Sequence, residues 1–176
     1  MLKNVQQELN RFAKYVIQQS RTNLTKGKKN VSKELYNSLD HKLNVSPNSF
    51  GLKFLMEEYG LFQDKGVKGK TSSNKAPNSP FKFGSGRGKK GGLTEGIDKW
   101  VRRKRFQFRD RKSGRFMSYE STAFLITRSI YNKGVKPSLF FTKPFEKAFK
   151  NLDKDIIEAY KLDVEELLKF TTNGNN

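Results

Sequence analysis

The stretch that decides the fold is HKLNVSPNSFGLKFLM, residues 41–56. Residues 47–49, Pro-Asn-Ser, are turn formers, and beyond them the apolar Leu52, Phe54 and Met56 alternate with other residues. Alternation with a period of two is typical of a strand that buries one face. We therefore predict an antiparallel β-hairpin centred on this turn.

Helical patterns surround the hairpin. Before it, apolar residues recur at spacings of three and four over residues 2–17, and residues 26–30 break the pattern. After it, further helices are predicted near residues 94–105 and 119–131, the second of which ends at Gly134. The predicted elements are thus several helices and one small antiparallel sheet.

The C-terminal region has the strongest helical periodicity. Pro144 suits the first position of a helix. Apolar residues then recur at helical spacing: Phe145, Phe149, Leu152, Ile156, Tyr160, Val164 and Leu167. This face either packs in the core or contacts another subunit, and residues 171–176 are predicted to be a disordered tail.

A Gly- and Lys-rich segment interrupts the chain at residues 66–93. Eight Lys or Arg residues and no acid lie between Asp64 and Glu95. The sequence GSGRGKKGG at residues 84–92 lacks the strand, helix and fixed spacing of a phosphate-binding loop. We therefore predict a long, flexible basic loop.

Positive charge dominates the composition. The 176 residues carry 36 Lys and Arg against 17 Asp and Glu, a net charge of +19, which favours an anionic partner. In residues 100–116 Phe alternates with Arg, so this stretch either stacks on bases or, as we favour, forms a hairpin or extended loop whose turn is residues 109–114. The candidate contacts to a partner or to DNA are Arg87, Lys89, Lys90, Arg102, Arg103, Arg105, Arg109 and Arg111.

Catalytic and metal-binding signatures are missing from the sequence. There is no Cys, and His41 is the only His, so we predict no metal site and treat His41 as an ordinary residue near the edge of the hairpin. Adjacent carboxylates point to different faces of a helix or strand, so no acid–base pair is indicated. We expect no enzyme activity and no cofactor. The sequence has neither a membrane-spanning stretch nor the apolar stretch of a signal peptide, so we expect a soluble protein that stays in the cell after synthesis.

Four short motifs follow one another in an informative order. LYNSL (residues 35–39) precedes the hairpin, YGLFQDKG (59–66) follows it, and GVKPSLFF (134–141) and PFEKA (144–148) lead into the terminal helix. In this order the chain resembles the tail-completion, or head–tail joining (neck), proteins of tailed bacteriophages. It departs from the family where residues 30–31 are Asn-Val rather than Thr-Gly, and in its longer Gly/Lys loop.

The resemblance implies a single α+β domain over residues 1–170, with a small antiparallel sheet flanked by the N-terminal helix and the long C-terminal helix. It implies a structural virion protein that forms a six- or twelvefold ring in the neck, after assembly in the host cytoplasm. The ring would join the portal and connector to the tail and help to retain and conduct the genome, with no catalytic or membrane role. We expect subunit contacts at Phe140, Phe141, Phe145 and Phe149.

Two questions stay open at the level of the sequence. The basic loop and Arg cluster could touch DNA non-specifically in the channel or order against acidic surfaces of a neighbouring ring; for the loop we favour the second. The alternative function is a free nucleic-acid-binding protein that uses the basic aromatic stretch 100–116.

Overall fold

The computed structural model describes residues 2–28, 32–47, 49–85 and 91–173. The architecture is α+β, as predicted. The elements in chain order are α1 Lys3–Lys26, α2 Glu34–Ser38, β1 Asp40–Ser46, β2 Ser49–Leu55, α3 Glu58–Lys65, β3 Val67–Lys68, α4 Gly92–Lys104, α5 Tyr119–Lys133, β4 Gly134–Val135 and α6 Thr142–Asn173.

The chain divides into two compact units where the sequence predicted one domain. Unit 1 consists of Met1–Gly60 and Leu139–Asn176, and unit 2 consists of Leu61–Ser138. Unit 1 is therefore built from both ends of the chain, and unit 2 is formed by the segment between them.

The predicted hairpin is confirmed in unit 1. β1 pairs antiparallel with β2, with Asp40 opposite Leu55 and Ser46 opposite Ser49. Along β2, partly buried and exposed residues alternate as predicted, with Phe50, Leu52 and Phe54 on the inner face. The alternation in the sequence therefore predicted the inner face of β2 correctly.

The core of unit 1 forms where α1 meets α2 and the residues just before α6. The buried residues Ile17, Leu24, Leu35, Leu39 and Phe140 pack into one cluster. Their contacts join both ends of unit 1, which are far apart in the sequence.

Arg21 ties α1 to α2. Its guanidinium group donates to the carbonyl oxygens of Tyr36 and Leu39, at 3.1 and 2.9 Å, and lies over the Tyr36 ring. Because these carbonyls at the end of α2 have no partner within the helix, Arg21 satisfies them.

An aromatic cluster links α1, β2 and α6. The ring of Phe54 lies 6.2 Å from Phe12, 5.2 Å from Phe141 and 5.9 Å from Phe145, in edge-to-face geometry. Rings at these distances and angles attract each other beyond the burial of their area. Phe141 and Phe145, expected to contact another subunit, are therefore engaged within their own chain.

Phe140 requires the clearest correction among the predicted subunit contacts. Its side chain is 1% exposed, so it belongs to the core of unit 1 and offers no surface to a neighbour. Phe149 stacks on Phe145 but remains 50% exposed. Of the four predicted phenylalanines, Phe149 is the most available to a partner.

The predicted flexible loop is largely an ordered strap in unit 2. Within it, β3 pairs with β4, and the Lys68 N–H and carbonyl bond to Phe81 and Phe83, at 2.8 and 2.9 Å. Ala76 is 1% exposed, and the Ser79 hydroxyl donates to the Gly66 carbonyl at 2.7 Å. Residues 66–85, which composition predicted to be a flexible loop, are thus held by backbone hydrogen bonds, by buried Val67 and Ala76, and by ring contacts of Phe81 with Phe62 and of Phe83 with Tyr131.

The remaining boundaries also differ in part from the predictions. Residues 86–90 of the predicted loop lie outside the described residues, and residues 92–93 already belong to α4. α6 runs to Asn173, so residues 171–173 are helical rather than disordered, and residues 174–176 lie outside the described ranges.

Candidate interaction surfaces

The predicted Arg contacts that the structure describes lie at the end of α4 and in the turn that follows it. We call residues 100–116 the basic-aromatic surface, all of it in unit 2. Three of the predicted contacts, Arg87, Lys89 and Lys90, lie outside the described residues.

Arg102 forms ion pairs with acidic residues of unit 2, whereas the later cations of the basic-aromatic surface form none within the described residues. Its Nε lies 2.8 Å from Asp98 Oδ2, its terminal nitrogen lies 3.5 Å from Glu120 Oε1, and its guanidinium covers the Tyr119 ring. The hydrogen bond and charge of Asp98 raise the pKa of Arg102. Arg102 therefore joins α4 to α5, and the Asp-x-x-x-Arg spacing was a signal of this role in the sequence.

The other cations of the surface have no such partner. Within the described residues, no ion pair is formed by these exposed side chains: Arg103, Lys104, Arg105, Arg111, Lys112 and Arg115. Lys104, Lys112 and Arg115 were not among the predicted contacts, although the same run of basic residues contains them.

Asp110 is the only acid of this surface and is occupied by the turn. Its Oδ1 accepts from the backbone N–H groups of Lys112 and Ser113 and from the Ser113 hydroxyl, at 2.8 to 3.1 Å. The hydrogen bonds from the Ser113 backbone and hydroxyl, followed by that from Lys112, lower the pKa of Asp110. The Asp110 carboxylate therefore fixes the turn through these hydrogen bonds.

The turn has the predicted hairpin form. Arg109 and Phe116 form an antiparallel bridge, and the Met117 N–H donates to the Phe108 carbonyl at 2.8 Å. The Phe108 N–H in turn donates to the hydroxyl of Thr122, a fully buried residue of α5. Backbone hydrogen bonds therefore fix the conformation of the basic-aromatic surface.

Aromatic rings lie exposed among these cations. Trp100 and Phe106 lie 6.0 Å apart, and Phe106 and Phe108 lie 5.2 Å apart. The Arg109 guanidinium lies 4.6 Å from the Phe116 ring centroid, and Phe116 is 62% exposed. Both alternatives from the sequence, a hairpin and exposed stacking rings, are therefore compatible with one structure.

A second surface lies on α6. Four of the apolar side chains of α6 that are more than half exposed lie within about 100° of one another around the helix axis. We call them the outer stripe: Ile157, Tyr160, Leu167 and Leu168. Ile157 and Leu168 were not singled out by the sequence analysis, although they continue the same helical pattern.

No family model, curated protein or solved structure matches this chain.

His41 lies beside an open cleft in unit 1. His41 Nε2 lies 3.1 Å from Asn10 Oδ1. The cleft has a volume of about 840 Å³ and is lined by Lys14, Arg21 and Tyr36 among others. Over residues 2–28, 32–47, 49–85 and 91–173, no group of three or more His, Asp or Glu side chains could hold a metal ion, and no helix is long and apolar enough to cross a membrane.

Proposed function

We propose that this protein is a structural subunit of the head–tail connector, or neck, of a tailed bacteriophage. It forms a ring that joins the portal and head to the tail and helps to retain and conduct the genome, without enzymatic activity. The order of the four sequence motifs supports the phage assignment. The observation that carries the structural role is the outer stripe of α6.

The outer stripe favours assembly because folding of the single chain leaves more than half of each of its apolar side chains exposed to water. α6 contains 32 residues, about 48 Å of helix. One side of it packs within unit 1, where Ala159 and Asp163 are buried. Leu167 and Leu168 of the outer stripe nevertheless remain 62% and 58% exposed. A second protein surface would remove these side chains from water, which is the main driving force for subunit association.

A closed ring requires that each subunit use two different patches. The outer stripe of one copy would pack on another surface of the next copy, because a head-to-tail contact closes a ring whereas a self-complementary contact closes a dimer. Phe149, 50% exposed on the same helix, extends the apolar area available to the neighbour.

Particle mass tests the role of the outer stripe. We expect the purified protein to form oligomers, and the double variant Ile157→Ser/Leu167→Ser to remain monomeric while still folded, since both residues are more than half exposed. Glu158→Ser/Glu165→Ser, on the same helix, is the control and should assemble normally. Oligomers that persist in the apolar-to-Ser variant would contradict the role of the stripe.

Phage assembly tests the proposed function directly. In a phage whose genome encodes this chain, a stop codon early in its gene should give DNA-filled heads and complete tails that do not join. Electron microscopy of the lysate distinguishes these products. Joined, infectious particles without the chain would exclude the neck assignment, whatever the oligomeric state of the purified protein.

A further inference from the structure

The basic-aromatic surface presents groups that complement a nucleic-acid strand. Its unpaired side chains carry positive charge and hydrogen-bond donors, whereas its one carboxylate, Asp110, already accepts three hydrogen bonds from the turn. The remaining exposed area includes the rings of Trp100, Phe106 and Phe116. A strand with exposed phosphates and bases offers the matching acceptors and flat π-faces.

Arg105 provides a second, independent observation. It follows α4 with φ 51°, in the left-handed region, and its N–H and that of Phe106 bond to the carbonyls of Arg102 and Val101. Glycine is the usual residue at this position of a helix end because it adopts a left-handed backbone without strain. Contact of the Arg105 side chain with a bound strand would account for an arginine rather than a glycine at this position.

Unpaired bases fit this surface better than duplex DNA or an acidic protein. A ring can stack on a base only where that base is not stacked in a duplex, and Phe116 is 62% exposed with Arg109 over its ring. Carboxylates of an acidic protein would match the cations but would leave the rings without a stacking partner.

We propose that the basic-aromatic surface binds single-stranded nucleic acid. Arg103, Arg105 and Arg111 contact phosphates, and Phe116 stacks on a base. This site lies in unit 2, whereas the outer stripe lies in unit 1, so the proposal does not depend on the neck assignment. Arg102, paired with Asp98, keeps its structural role.

Trp100 is a built-in probe of this site because it is the only tryptophan of the chain and it lies next to Phe106. Titration of the full-length protein with an oligothymidylate of about 20 nucleotides should quench its fluorescence, with a dissociation constant in the micromolar range at low salt. A duplex of equal length and a polyglutamate of equal charge should bind more weakly. Equal binding by either competitor would overturn the proposal.

Two variants separate binding from folding. Arg105→Gly relieves the left-handed backbone, so its melting temperature should stay equal or rise while its affinity falls roughly tenfold at low salt. Its plot of log affinity against log salt should also become shallower by about 0.7, the contribution of one phosphate contact on a single strand.

Phe116→Leu removes the ring at an exposed position and should weaken binding about fivefold with no effect on the salt dependence. The control Lys154→Ala removes one positive charge from the exposed side of α6 and should leave the affinity unchanged. Unchanged affinity in both Arg105→Gly and Phe116→Leu, or an equal loss in Lys154→Ala, would overturn the site.

Discussion

Asp163 on α6 holds the first turn of α1. Its two carboxylate oxygens accept from the backbone N–H groups of Asn4 and Val5 at 2.9 and 3.0 Å, and from the Asn4 side chain at 3.0 Å. The first N–H groups of a helix have no partner within the helix, and Leu2 makes no side-chain cap. A carboxylate at this end also interacts favourably with the helix dipole.

Asp163→Asn tests this cap through the pH dependence of stability. Burial raises the pKa of Asp163, but the hydrogen bonds from Asn4, Val5 and Lys3 lower it by more, so the net pKa lies below the ordinary value. The stabilisation is therefore complete above the unfolded pKa of about 3.9 and is lost as the pH falls through the lower folded value. We expect the variant to lose about 1 kcal/mol of unfolding free energy near neutral pH.

Urea unfolding at neutral and at acidic pH measures the effect. The difference between wild type and Asp163→Asn should shrink as the wild-type carboxylate becomes protonated. Asp153→Asn, at an exposed position of the same helix, should have the same free energy of unfolding as the wild type at both pH values. A difference that stays constant with pH would mean that the charge of Asp163 does not stabilise the helix end.

At the scale of single elements, the strap at residues 66–85 depends on close backbone approach. A Cβ on Gly69 would meet the carbonyl of Asn132 and would lie 2.7 Å from the Lys133 carbonyl carbon. Gly134, the first residue of β4, has φ 83°, which only glycine adopts without strain. These glycines let β3 and β4 pair, whereas in the sequence they resemble loop residues.

Gly69→Ala should therefore lower the free energy of unfolding by about 1–3 kcal/mol, because backbone rather than a flexible side chain must move to make room. The matched control is Gly96→Ala in the interior of α4, where the added Cβ meets nothing within 4 Å. Since alanine favours helix, that variant should gain about 0.5–1 kcal/mol. Chemical denaturation measures both variants, and similar effects on stability would refute an ordered strap.

The sequence predicts the elements whose pattern is local and misses those that depend on distant partners. Alternation at Leu52 and Phe54 and helical spacing in α1 and α6 are local, so the hairpin and the long helices were predicted correctly. β3 and β4 contain two residues each and pair residues far apart in the chain, so no periodicity can show them. At the candidate site the run of basic residues was evident in the sequence. Which of them is paired was not, because Arg102 and Arg103 differ only in whether the fold brings an acidic side chain within reach.

At the scale of the whole molecule, the charge is concentrated in one unit. Leu61–Ser138 contains 20 Lys and Arg and 5 Asp and Glu, so unit 2 carries a net charge of +15 out of +19. Like charges at this density repel one another and destabilise the compact state. Unit 2 should therefore be stabilised by whatever screens or neutralises this charge, including a bound polyanion.

Salt provides the simplest test of this self-repulsion. Raising sodium chloride from about 20 mM to about 300 mM shortens the screening length from about 20 Å to about 6 Å, so the melting temperature of the protein without ligand should rise by several degrees. Arg103→Gln/Arg111→Gln removes two unpaired cations of unit 2 and should give a smaller rise, because less repulsion remains to be screened. Lys150→Gln/Lys154→Gln, the same change on α6, should respond to salt like the wild type. A melting temperature that falls with salt would mean that ion pairs such as Arg102–Asp98 outweigh the repulsion among the unpaired cations.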